Sequence, residues 1–318
     1  MLLETPLANN TPTRRTPVSL AGGALGFNWL PVFVAQARGL FDAHGLEVEL
    51  RRLGSVDKAT AAVRSGEANL AISPPEGALS DAVAGGNLRL IAANCNCLPL
   101  TLVAHQRFKR IEDLKGAVLG TSSLTEGTAI YTREMLAQHG LEYPRDYSFA
   151  LAGVHQGRGK ALQEGTIDGA VQPPPFNFLA IDAGYSDLGE VSDVLPEIAF
   201  TAMLGRLDWV QDNESTVLAL LRALAQATAL VYDEANDAST VPIMMEVTQS
   251  DAAYAKRALD YMRAKSAFAR SPEIPASALE VSLELMIKAG LLDPAAKGKA
   301  RLAWDPRWAQ RASAAAAR

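Results

Sequence analysis

Cysteine is almost absent from this chain of 318 residues: there are two, Cys95 and Cys97, in the run NCNC. One residue apart in an expected loop, they are poorly placed to bond each other without strain. Two Cys with no neighbouring His do not make a zinc site. Basic clusters are missing as well. The formal net charge is −5, and no row of Lys and Arg is available to neutralise phosphates, so nucleic acid is not an expected partner. No uninterrupted apolar run reads as long enough to span a bilayer. The first residues, MLLETPLANNTPTRRTPVSLAGG, hold an arginine pair but no apolar h-region, so no secretory signal is read there. The expectation is a cytoplasmic protein, or a periplasmic one whose start lies upstream, with the arginine pair in a solvated arm. The end, WAQRASAAAAR, reads as a fraying helix. The composition, 48% hydrophobic and 20% charged, is that of a folded chain with core enough for two domains.

Strand and helix signals alternate, which predicts α/β layering around mostly parallel sheets. TPVSLAGGAL reads as strand one, LPVFVAQARGLFDAHG as a single helix stopped by Gly45, and LEVELRRL as strand two. SVDKATAAVRSGE is a helix with Ser55 at its N-cap. ANLAIS, PEGALSDAVAGG and LRLIAANC continue the alternation, and LPLTLVAHQ is a strand leading away. A second block repeats this grammar from AVLGTS to FNFLAIDAGY. ESTVLALLRALAQATALVYDEAND is a long amphipathic helix, and most of the chain beyond it is helical. Two such blocks, joined by extended crossovers near Thr101–Gln106 and Leu195–Ala202, form a cleft at the carboxyl ends of their strands.

Four segments in order carry a resemblance: WLPVFVAQARGLFDAHGLEVEL, SVDKATAAVRSGEANLAIS, RIEDLKGAVLGTSSLTEGTAIYTREMLAQHGL and GRGKALQEGTIDGAVQPPP. The chain resembles the sulfonate, nitrate and thiamine-precursor binding proteins, the SsuA/THI5-like (NMT1-like) members of the type II periplasmic binding protein fold. The resemblance implies a two-lobed α/β fold, with residues 1–103 and 200–318 in one lobe and 104–199 in the other, closing by a hinge on a small ligand. It implies a solute-binding protein of an ABC importer, with a small organic anion as ligand, a membrane permease as partner, no cofactor and a monomeric state. The family also holds enzymes, so the alternative is a cytoplasmic enzyme similar to a desulfinase, a decarboxylase or a thiamine-pyrimidine-precursor synthase. The desulfinase cysteine after strand one is missing from GALGFNWLP, and NCNC is not the CCCFC loop of the synthases. If the chain is an enzyme, His155, Cys95 and Cys97 are the candidate catalytic groups.

Each candidate ligand contact has a plain structural alternative. Asn28 offers an amide and Phe27 and Trp29 offer stacking faces, against a capping Asn beside core aromatics. Ser73 follows a strand, and Glu76, in the next helical turn, equally complements the helix dipole. Ser122, Ser123 and Thr125 in TSSLTEGTA can join free backbone N–H groups around an oxyanion, or simply cap a helix. Asn94 and Asn96 can bond a heterocycle. Arg158 can fork onto an acidic group, and His155 can donate to it or act as a base. Gln172, in a loop stiffened by Pro174, ends another strand.

Overall fold

The structure, a computed structural model, describes residues 15–24 and 26–316. The expected solvated arm at 1–14 lies outside the described residues. The first lobe is built on β1 (Thr16–Gly22), β2 (Leu46–Arg52), β3 (Leu70–Ser73), β4 (Leu88–Cys95) and, much later, β10 (Thr201–Arg206). The second is built on β5 (Thr101–Ala104), β6 (Val118–Thr121), β7 (Ser148–Leu151), β8 (Gly169–Gln172) and β9 (Ser186–Glu190). The sheet orders are β2-β1-β3-β10-β4 and β7-β6-β8-β5-β9. β10 runs antiparallel to both its neighbours, as β5 does in the second sheet, so four strands of each five share one direction. This is the two-lobed, mostly parallel α/β fold expected from the alternation.

Helices α1 (Leu30–Ala37), α2 (Leu40–Ala43), α3 (Val56–Ser65) and α4 (Glu76–Val83) flank the first sheet. α5 (Thr128–Ala137), α6 (His155–Gln163), α7 (Phe176–Asp182) and α8 (Val191–Val194) flank the second. The remainder is α9 (Leu207–Asp212), α10 (Glu214–Tyr232), α11 (Asp237–Thr248), α12 (Ala252–Ala264), α13 (Ala276–Lys288), α14 (Lys297–Ala300) and α15 (Arg307–Ala316). α10 packs on α1 and α15 and buries Val217, Leu220, Leu221 and Val231. By length and composition it is apolar enough to cross a membrane, contrary to the sequence expectation. Its buried stripe is that of a core helix of this fold.

Three local expectations are corrected. The single first helix is two, because Gly39 sits at φ 64°, a left-handed turn that costs glycine nothing and ends α1. Ser55 stands at the N-cap of α3 but makes no side-chain cap bond. Thr101–Ala104, expected as a strand within the crossover, is a strand but lies inside the second sheet, fully buried and bonded on both edges. The chain therefore passes between lobes through Asn96–Leu100 and again between Leu195 and Phe200.

Candidate functional site

The loops at the carboxyl ends of β1, β3, β6, β7 and β8 meet between the lobes. They enclose a narrow cleft, a cavity of about 70 Å³. The first lobe supplies Phe27, Asn28 and Trp29 after β1, Val56 at the start of α3, and Ile72 and Pro74 around the end of β3. The second supplies Ser122, Gly127, Thr128, Val154, His155, Arg158 and Pro173. Leu100, Phe200 and Thr201, from the two crossings, complete the wall.

The wall is largely aromatic and apolar. Phe27 and Phe200 stack with centroids 6.2 Å apart and planes 15° apart. His155 meets the Phe27 ring edge-on at 6.3 Å and lies tilted over Phe176 at 4.8 Å. Gly26 touches the same imidazole so closely that a Cβ there would stand 2.7 Å from Nε2. Only a residue without a side chain fits at that point.

Arg158 is the one charged side chain in the lining. It is 4% exposed, on the second turn of α6. Its Nε donates to the carbonyl of Val171 at 3.2 Å and its Nη1 to that of Gly153 at 3.3 Å. Among the described residues no carboxylate pairs with it. Burial pulls its pKa down to about 10, which leaves it charged at neutral pH. The same burial, with the charges of Arg158 and Arg52, drives His155 down to about 3. His155 is therefore a neutral imidazole, and its Nε2 has no partner. Two helices, α5 and α6, begin on this wall with their positive dipole ends. The arrangement is an apolar slot with one fixed positive charge, suited to an oxyanion on an apolar or aromatic body.

The sequence candidates divide in two. Phe27, Asn28, Trp29, Ser122, His155 and Arg158 line the cleft. Ser73, Glu76, Asn94, Asn96, Ser123, Thr125, Gln172 and Pro174 do not. Asn94 is a tether: its Nδ2 donates to the Asn28 carbonyl at 3.0 Å and to Thr201 Oγ1 at 2.9 Å, fixing the loop after β1. Ser123 Oγ donates to Asp57 at 3.0 Å and accepts the N–H groups of Thr125 and Glu126, both at 3.1 Å. Thr125 is exposed. Gln172 donates to the His155 carbonyl at 3.3 Å, behind the wall. Ser73 is buried beside Thr60, and Glu76 is buried and accepts from Tyr131. Pro174 is buried next to the wall residue Pro173, and Asn96 keeps an unpartnered Oδ1 in the first crossing. Phe200, Thr201 and Thr128 line the cleft without being sequence candidates.

The two thiols stand apart from the chemistry. Cys95 is fully buried, and burial pushes its thiol up to about 12. Burial also raises Cys97. Neither lines the cleft, and a thiol so placed is no nucleophile at neutral pH. Alkylation mapped by mass spectrometry should leave Cys95 unmodified until the protein is unfolded. Modification in the native state as fast as in the denatured chain would contradict this burial. Among the described residues no group of three His, Cys, Asp or Glu is placed to hold a metal ion.

The family model described as NMT1/THI5 like matches residues 26–238, two thirds of the chain. The chain belongs to the NMT1/THI5-like family. This agrees with the resemblance carried by the four ordered segments. No curated protein matches it. Among solved structures, this NMT1/THI5-like chain is similar to the alkanesulfonate-binding protein SsuA of Xanthomonas axonopodis pv. citri bound to MOPS. The identity is 16% and the TM-score 0.75, covering 92% of this chain and 98% of that one. It is also similar to the periplasmic nitrate-binding protein NrtA of Synechocystis PCC 6803, at 14% identity and TM-score 0.77, covering 95% and 89%. DSZB in complex with biphenyl-2-sulfinic acid gives 14% identity and TM-score 0.64, covering 95% and 99%. At these identities the likeness is one of fold.

Proposed function

We propose that this protein is the solute-binding component of an ABC-type importer, closing its two lobes on a small organic anion such as a sulfonate or carboxylate. Arg158 is the observation that carries the reading: a buried guanidinium in an apolar cleft, with no protein carboxylate beside it among the described residues. A buried cation without a partner is costly, and a bound oxyanion removes that cost. The stacked Phe27 and Phe200 favour an aromatic, heterocyclic or apolar body on the ligand. The sulfonate, sulfinate and nitrate of the structural neighbours are all oxyanions. In this reading the chain acts in the periplasm as a monomer and presents the outer faces of both lobes to a membrane permease. The lobes divide near residues 100 and 200 and move about the two crossings.

A thermal-shift screen against sulfonates, aromatic carboxylates, nitrate, pyrimidines and flavins tests the proposal. A ligand at a thousand times its dissociation constant adds about 4 kcal/mol, roughly 6 °C for a chain of this length. The expected result is a shift of that size from one class of oxyanion, with the compound recovered unchanged. A hit recovered chemically altered would move the reading to an enzyme on the same fold, and shifts confined to uncharged compounds would sink it.

A further inference from the structure

Behind the cleft wall three acids meet across the interface between the lobes. Glu126, in the turn before α5 of the second lobe, is 7% exposed and presses on the first lobe. A Cβ at Gly77 would stand 2.6 Å from Glu126 Oε1 and 2.9 Å from Thr60 Oγ1, so the carboxyl occupies a seat that only glycine leaves open. Asp57, exposed in the first turn of α3 and bonded to Ser123 Oγ of the turn that holds Glu126, adds a second negative charge nearby. Glu76, the first residue of α4, accepts from Tyr131 Oη of α5 at 3.1 Å. Glu76 Oε2 and Glu126 Oε2 are both buried without a partner.

The surrounding charges do not neutralise this cluster. Arg64 of α3 is the one cation acting on Glu126 among the described residues, and it is half-exposed and bonded to Asp81 at 2.6 Å. Lys297 and Arg301, on elements packed against α4, are held by Glu280 and Glu284. Lys288, on α13 against α5, is paired with Glu134. Glu76 and Glu126, both buried and neither paired with a cation among the described residues, do not readily ionise together. Burial first, then the charges of Asp57 and Glu76, pushes Glu126 up to about 8. Burial pushes Glu76 up to about 7, against the hydrogen bonds from its own amide and Tyr131. With the lobes apart, both side chains meet water and return towards the ordinary value of about 4.3.

We propose that Glu126 is a proton-operated latch: as the neutral acid it docks beside Gly77 and Thr60 and holds the lobes together, and its ionisation releases them. The direction of the shifts sets the sign. A group with a higher pKa in the closed form favours closure fully below its open-form value. That advantage is lost as pH rises through the closed-form values, near 7 and 8. Within that window each proton taken up on closing changes the closing equilibrium by up to about tenfold per pH unit. Ligand retention is then strongest in acid surroundings.

Small-angle scattering of the full, dialysed chain between pH 5 and 9 tests this without any ligand. Its failure therefore leaves the anion-binding reading untouched. The wild type should expand with a midpoint between pH 7 and 8. Glu126→Gln, neutral at every pH, should stay compact to pH 9. Gly77→Ala, which fills the seat, should be expanded already at pH 5, with circular dichroism confirming that it is folded. A wild-type radius of gyration that is the same at pH 5 and 9, or an expansion retained in Glu126→Gln, would overturn the latch.

Discussion

Arg158→Met is expected to abolish tight binding of the anionic ligand while leaving the ligand-free fold as stable as before, or more so. The two effects have one cause. In the free protein the guanidinium is buried against the carbonyls of Val171 and Gly153 with no carboxylate partner among the described residues. An apolar side chain of similar length removes that desolvation cost, and such replacements are often neutral or stabilising. In the complex, however, the ligand's charge loses its counter-charge inside an apolar slot. Breaking a buried, hydrogen-bonded charge pair costs about 2–5 kcal/mol, or from about 30-fold to a few thousand-fold in affinity. Calorimetric titration gives the affinity and a thermal melt gives the stability. A variant that binds as well as wild type would remove Arg158 from the site. One that melts far below it would make Arg158 a structural residue.

Trp29→Ala should damage fold and cleft together. Trp29 is 1% exposed and is the largest fully buried side chain. It closes the 3-10 turn Phe27–Trp29 that feeds α1, and it forms part of the cleft wall. Large-to-small changes of this kind cost about 3–5 kcal/mol, which for this chain length is roughly 5–8 °C in melting temperature. The cost should be nearly the same with and without ligand if Trp29 serves the core alone. If the ligand rests on the indole, the ligand-bound form should lose more. A melt within about 1 °C of wild type would show that the turn holds without its ring.

The layering is legible in the sequence because each βα unit writes its own local signals. The apolar alternation of β1 to β4 and the helices between them come directly from pattern. The break at Gly39 does not, since the apolar spacing runs on through it and only the backbone angle shows the turn. Thr101–Ala104 reads as a strand, but its place inside the second sheet is not legible. Its position there depends on β8 and β9, each more than 60 residues away in sequence.

Within the site, residues in the loops after β1 and β7 are legible because a strand-end loop is a local feature. Phe200 escapes a sequence reading because its partner, Phe27, joins it only through the return of β10 to the first sheet. Ser123 and Glu126 show the converse. Their sequence TSSLTEGTA reads as an anion cradle, but Asp57 from the other lobe takes the Ser123 hydroxyl. Nothing near 121–129 announces that acid. The burial that makes Cys95 inert is likewise a long-range property, set by the approach of Phe268 and Thr201.

Selection of an oxyanion through the charge of Arg158 is the central claim. The most direct measurement is a matched pair: calorimetric titration of the best hit from the screen beside its uncharged isostere, a sulfonamide for a sulfonate or a primary amide for a carboxylate. The expected result is measurable binding of the anion, weaker binding of the neutral twin by at least about 30-fold, and loss of that preference in Arg158→Met. Equal affinity for both members of the pair in the wild type would contradict it.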